Sequence, residues 1–122
     1  MMTCIFCDPE RQAIAENEFA IAIDDNFAVS LGHTLVVPKR HVATIFELTA
    51  CEYEGCFNLV RVVRDMLSDR YRPDGFNLGV NCGQAAGQTV MHAHIHIIPR
   101  YDGDVEDPRG GVRGVIPGKQ KY

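Results

Sequence analysis

A chain of 122 residues, 46% hydrophobic and 23% charged, has room for one domain with its own core and too little for two. Its formal net charge of -4 offers no broad basic surface to nucleic acid polymers or anionic membranes. No apolar run reaches membrane-spanning length and the N-terminus has no basic segment leading into an apolar one, so the expected compartment is the cytoplasm.

In chain order, Cys4 and Cys7 stand at Cys-x2-Cys spacing ahead of Asp8 and Pro9, which suit the cap and first position of a short helical turn. The pair fits a redox dithiol or half of a zinc site. A redox pair belongs at the start of a helix that follows a strand, and no strand is expected before Cys4, so metal is favoured. The total of five cysteines is odd, in a chain that can bury a core without disulfides. Reduced thiols are therefore expected, with Cys51, Cys56 and Cys82 acting as small hydrophobes.

Residues 19–23 read as a strand running into a turn of Asp24, Asp25 and Asn26. Gly32 and His33 open a second strand over 34–37, which Pro38 stops, and Lys39, Arg40 and His41 follow as a basic loop. The short spacing predicts antiparallel neighbours. Thr49 with Glu52 has the form of a capping box, and a helix is expected to follow. Tyr53, Phe57, Val60, Val63 and Leu67 form its apolar stripe, opposite Glu54, Asn58, Arg61 and Asp65. That helix packs on a sheet and ends before Pro73, with Asp74 and Gly75 in the turn.

Residues 76–81 alternate again, Phe76, Leu78 and Val80 on the core face and Asn77, Gly79 and Asn81 on the other. A loop of small residues, 83–89, comes next; such a loop lets backbone N–H groups approach an oxyanion, and Gln88 and Thr89 can donate hydrogen bonds. Over 92–98, His92, His94 and His96 alternate with Ala93, Ile95 and Ile97. Strand periodicity puts the three imidazoles on one face, and imidazole near pH 7 serves as nucleophile, proton shuttle or metal ligand. From Asp102 to Tyr122 the chain is rich in Gly, Pro and charge, and an extended tail is expected there, beyond a domain of residues 1–101.

The stretch from Gly87 through His92, His94 and His96 to Ile98 resembles the signature of the histidine triad (HIT) superfamily of nucleotide hydrolases and transferases. The block from Gly32 and His33 through Pro38 to His41 resembles the family's second conserved block, and Phe76 to Asn81 fits the strand between. Together the resemblance covers about residues 4 to 100. It implies an α+β fold, an antiparallel sheet of about five strands with one main helix packed on it, and a homodimer.

The resemblance also implies roles. His94 is the nucleophile that attacks the α-phosphorus of a nucleoside phosphate derivative, giving a covalent nucleotidyl-histidine that water cleaves. His96 meets the phosphate or leaving group and passes it a proton, and His33 completes the cluster. Gln88 and Thr89 hold phosphate or leaving-group oxygens, Asp25 the ribose (a place Asp24 could share) and Asn81 the nucleotide, with Ile23 and Phe6 in the base pocket. Many bacterial members, and the galactose-1-phosphate uridylyltransferase branch, bind a structural zinc through Cys-x2-Cys and two histidines. Here Cys4, Cys7, His41 and His92 stand at those positions, a closed Cys2His2 set.

The implied reaction is hydrolysis of an adenosine phosphoramidate, an aminoacyl-adenylate or a dinucleoside polyphosphate. A phosphorylase or transferase would use the same intermediate with another acceptor. Two other classes stay open at this stage: a nucleotide-binding regulator with incidental hydrolysis, and a thiol oxidoreductase built on Cys4 and Cys7.

Overall fold

The structure, a computed structural model, describes residues 4–122. Five strands, β1 Ala15–Glu16, β2 Ala20–Asp24, β3 Thr34–Pro38, β4 Gly75–Gly79 and β5 Ile95–Arg100, form one sheet in the order β1-β2-β3-β5-β4. Every neighbouring pair is antiparallel. One long helix, α1 Ala50–Tyr71, packs on a face of the sheet, so the α+β architecture is the expected one.

Period-two alternation sorts side chains between two layers. Ala20, Ala22, Val36, Ile95 and Ile97 meet Cys56, Leu59, Val60, Val63 and Leu67 of α1. On the other face Ile23, Leu35 and Val37 pack against Phe6 of the N-terminal segment. Burying a phenyl ring there contributes about 1.5–3 kcal/mol, which holds that segment over the site. With both faces covered, β3 is buried along its whole length.

Thr49 caps α1 as expected: its side chain accepts from the Glu52 N–H and the Glu52 carboxylate accepts from the Thr49 N–H. The same carboxylate takes two bonds from Arg40, at 2.9 and 2.8 Å, which holds its pKa at about 2, chiefly through Arg40 and then the Thr49 N–H. The basic loop is thereby tied to the helix start, and His41 with it. The apolar stripe is rotated from the one expected. Phe57 is 42% exposed, and Cys56 and Leu59 take the buried positions. The cause is Gly55, where a Cβ would lie 2.6 Å from the Phe19 ring; the helix approaches the sheet along that glycine. Of the three cysteines expected to be small hydrophobes, only Cys56 is buried; burial raises its thiol to about 11, while Cys51 is exposed and Cys82 half-buried.

Two strand boundaries also differ. β4 ends at Gly79, so Asn81 lies beyond it, and Leu78 is 45% exposed rather than in the core. β5 runs over Ile95–Arg100 instead of 92–98. Pro99 is tolerated because the β3 ladder stops at the Thr34–Ile97 pair, leaving only β4 beside it. His92 and His94 precede the ladder because the chain turns to another partner: the Ala93 N–H donates to the Val42 carbonyl at 2.8 Å. The extended course expected for 102–122 is interrupted by a 3-10 helix, Gly111–Val115. Gly103, Gly110, Gly111 and Gly118 all adopt positive φ there, which lets the segment coil back on itself.

Candidate active site and metal centre

The alternation of the triad survives the loss of strand pairing. Ala93, Ile95 and Ile97 enter the core beneath α1 and the three histidines turn to the opposite face. They do not share one task. The His94 and His96 rings lie 5.1 Å apart and line a cavity of about 250 Å³, whereas the His92 ring stands 4.6 Å from His41, outside that cavity.

Hydrogen bonds assign a proton to each ring. The His94 Nδ1 is 2.8 Å from the His92 carbonyl, which only accepts, so Nδ1 carries the hydrogen and Nε2 keeps its lone pair. The same logic protonates His92 at Nε2, 2.8 Å from the Pro38 carbonyl, and frees its Nδ1. His33 is read from the other side. Its Nδ1 accepts the Val29 N–H at 3.1 Å, so its hydrogen sits on Nε2, which faces the His96 Nδ1 at 2.9 Å and Asp25 Oδ2 at 3.3 Å. His96 therefore accepts at Nδ1 and carries its own hydrogen on Nε2. Burial lowers the pKa of His33 and of His96, against the opposing pull of Asp25, and His94 and His33 lower His96 further. Both rings are held neutral, so the Asp25–His33 contact is a hydrogen bond to a neutral imidazole rather than an ion pair.

Around these rings the cavity takes Phe6 and Leu35 as apolar walls, with Asp25, Asn81 and Thr89 as polar ones. Phe6 stands edge-on to His94, with centroids 5.0 Å apart. Three expected residues are not in its lining, His33, which reaches it only through His96, and Ile23 and Gln88. Ile23 is 1% exposed within the apolar cluster, and Leu35, its β2–β3 partner, forms the wall instead. The Gln88 carboxamide is fully engaged by the loop: Nε2 donates to the carbonyls of Ala43 and Val90, and Oε1 accepts the Gly83 N–H at 2.8 Å. It closes the turn that Gly83 and Gly87 make in positive-φ conformations, and in this arrangement its amide hydrogens are directed to the loop rather than to the cavity.

Arg11 and Phe27 line the cavity as well, and neither was singled out from the sequence. The Arg11 guanidinium lies 5.4 Å from the centre of the Phe6 ring. Leu35 shares a face with Ile23 as its cross-strand partner, and nothing in the sequence pattern around Leu35, Arg11 or Phe27 pointed at the cavity.

The second cluster joins Cys4, Cys7, His41 and His92, whose ligand atoms all lie within 4.8 Å of one another. The His92 Nδ1 is 3.3 Å from Cys4 Sγ and 3.5 Å from Cys7 Sγ, and the His41 Nδ1 is 3.2 Å from Cys7 Sγ. In tetrahedral zinc coordination a sulfur and a nitrogen ligand stand about 3.6 Å apart, so the set fits the ion. The chemistry fits too: two thiols, and a lone pair on His92 that the Pro38 carbonyl turns toward them. With every vertex supplied by protein, an ion here would be structural. Asp25, His33 and His96 form another cluster of similar size. In it the Val29 N–H occupies the His33 Nδ1 and forces a hydrogen onto Nε2, where a metal would have to bind. That cluster is a chain of hydrogen bonds from Asp25 and His33 to His96.

Comparison with known proteins agrees with this geometry. A HIT domain is matched over residues 8–103. The Protein hit of Bacillus subtilis is 39% identical over 103 residues, covering 80% of this chain and 71% of that protein. A HIT family protein from Bacillus anthracis superposes with a TM-score of 0.75 at 42% identity, covering 80% of this chain and 73% of the other. A zinc-bound histidine triad family protein from Mycobacterium smegmatis superposes with a TM-score of 0.76 at 32% identity, covering 84% and 78%. Relatives named for an activity include an AP-4-A phosphorylase from Mycobacterium tuberculosis, 32% identical over 80% of this chain and 50% of that protein. Another is an asymmetrical bis(5'-nucleosyl)-tetraphosphatase from Schizosaccharomyces pombe, 40% identical over 62% of this chain and 42% of that protein.

Proposed function

The chain belongs to the HIT family, and on that premise we propose that it is a nucleotide hydrolase working through a nucleotidyl-histidine at His94. One observation carries the reading: the His92 carbonyl fixes the hydrogen of His94 on Nδ1 and leaves a lone pair on Nε2 at the cavity.

In the first half-reaction that lone pair attacks the α-phosphorus and forms a P–N bond. The leaving group departs with the electron pair of its bond to phosphorus and takes the Nε2 proton of His96, which the bound anionic phosphate holds as imidazolium and which this step returns to the neutral ring. In the second, water attacks phosphorus, returns a proton to His96 and releases a nucleoside monophosphate. His33 is a positioning residue that holds His96 in the donating tautomer, with Asp25 beside both rings. Thr89 and Asn81 are the donors available to phosphate oxygens, and Phe6 with Leu35 offers the base an apolar wall.

The substrate classes are an adenosine phosphoramidate, an aminoacyl-adenylate or a dinucleoside polyphosphate, with phosphorolysis or transfer the alternatives on the same intermediate. Cys4, Cys7, His41 and His92 hold a structural zinc that ties the N-terminal segment to the loop ahead of β5. The catalytic unit is residues 1–101, with 102–122 appended. It works as a homodimer in the reducing cytoplasm, a compartment that suits five unpaired thiols.

The test is His94→Asn with a hydrolysis panel of adenosine 5'-phosphoramidate, an adenylated lysine and diadenosine tetraphosphate. Turnover and the acid-labile nucleotidyl adduct disappear while nucleotide binding is retained. Activity surviving in the variant refutes the nucleophile. Absence of any turnover or adduct in the native protein replaces the hydrolase with a nucleotide-binding regulator.

A further inference from the structure

Resting on the hydrolase reading, we propose that Arg11 reads the base of the nucleotide and makes guanosine the preferred nucleoside over adenosine. Adenosine compounds stay substrates, since His94 acts on the same phosphorus in both. The difference lies on the wall that meets the base.

Arg11 reaches that wall through local structure. Its N–H donates to the Asp8 carbonyl at 3.1 Å, a turn that brings residue 11 back beside Phe6 with its side chain half-buried. The guanidinium carbon lies 5.4 Å from the centre of the Phe6 ring, and that ring stands 5.0 Å from His94. The α-phosphorus belongs at His94, which leaves Phe6 and Leu35 as the apolar wall for the base, with Arg11 lining the same cavity beside Phe6. A cation near the face of a ring is held by the ring quadrupole and keeps its N–H groups for other partners. Among the described residues the guanidinium has no hydrogen-bond or ion-pair partner.

Elimination leaves Arg11 as the group that selects. Asp25 is spent: its Oδ1 accepts the Phe27 N–H at 2.8 Å and its Oδ2 faces His33. The hydrogens of His94 and His96 serve the reaction, and Thr89 and Asn81 serve the phosphate oxygens. Asn26, the remaining polar side chain of the lining, carries both a donor and an acceptor and suits either purine. Arg11 alone offers donors without an acceptor, five N–H groups in a planar fork that stays charged. Guanine presents two adjacent acceptors, O6 and N7, that match the fork. Adenine sets its N7 beside an amino group, which is itself a donor and meets the guanidinium donor to donor.

The experiment compares guanosine 5'-phosphoramidate with adenosine 5'-phosphoramidate, which share phosphorus, ribose and leaving group. The full-length chain and the variants Arg11→Met and Arg11→Gln are measured by kcat/KM. Calorimetric dissociation constants for guanosine and adenosine 5'-monophosphate give a second readout that needs no turnover. The native protein is expected to favour guanosine by about tenfold or more in both, the scale of one bidentate base contact. Methionine keeps an unbranched stem over Phe6 and removes every donor, so Arg11→Met lowers the guanosine values and brings the ratio to within about twofold of unity. Glutamine, whose amide matches the adenine edge, brings the ratio to unity or below. A native ratio near or below one overturns the inference, and so do variants that keep the native ratio. Equal losses on both nucleosides, the mark of a contact to phosphate or ribose, overturn it as well. In each of these cases turnover on either compound leaves the hydrolase standing. No turnover, with a guanosine preference in binding that Arg11→Met removes, overturns the hydrolase and keeps the base reader. Absence of both turnover and nucleotide binding overturns both.

Discussion

Replacing Gln88 by alanine separates two roles that a polar residue beside an active site can play. Gln88 is 3% exposed and its carboxamide makes three bonds: to the carbonyls of Ala43 and Val90 and from the Gly83 N–H. Truncation removes all three and leaves a gap in a buried turn. At about 1 kcal/mol net per bond the loss is about 3 kcal/mol, less whatever water entering the gap restores. For a domain of this size that corresponds to a fall in Tm of about 10 °C. The assay is thermal and urea denaturation of native protein and Gln88→Ala, with kcat/KM measured well below either transition. A stability loss of this size with kcat/KM reduced by less than about tenfold supports the loop-closing role. Unchanged stability with activity reduced a hundredfold or more refutes it and restores Gln88 as a ligand of the phosphate.

Chelating the zinc proposed at Cys4, Cys7, His41 and His92 should lower Tm by more than it lowers the rate at mild temperature, because Pro38 and Val42 also hold residues 92 and 93. Immediate loss of rate with Tm unchanged would make the ion catalytic. The limb of kcat/KM on which activity falls as pH rises should reflect the His33–His96 pair, because His96 must be protonated to donate, and it should lie below the ordinary imidazole value near 6.5, since burial lowers both. Their folded pKa values lie below the unfolded ones, so the unfolded chain binds more protons and stability falls as pH drops below about 6.5. Asp25→Asn removes the pull that raises them and should move the limb to still lower pH; a shift upward refutes the coupling through Asp25.

The parts of the site written in local pattern were legible. Alternation sent the odd-numbered residues of 93–97 inward and the histidines outward, and the capping box at Thr49 marked the helix start. What the pattern missed depends on long-range choices. Gln88 looked available because one of its partners, Ala43, lies outside the motif, 45 residues away. Ile23 and Leu35 are cross-strand partners on one face, and only the position of Phe6 decides which of them meets the cavity. The helix stripe rotated for a steric reason, the Phe19 ring against Gly55, that no heptad count contains.

The His-x-His-x-His run is a seam between two sites. The His92 ring belongs to the cysteine cluster while its carbonyl, three bonds along the same backbone, aligns the His94 nucleophile. On the proposed roles, a survey of the motif would separate an anchor at His92, whose loss lowers stability more than rate, from a nucleophile at His94 and a donor at His96. Grafting the reaction centre onto another scaffold would need the peptide bond of residue 92 and not its imidazole, so the smallest transferable unit begins at a main-chain oxygen.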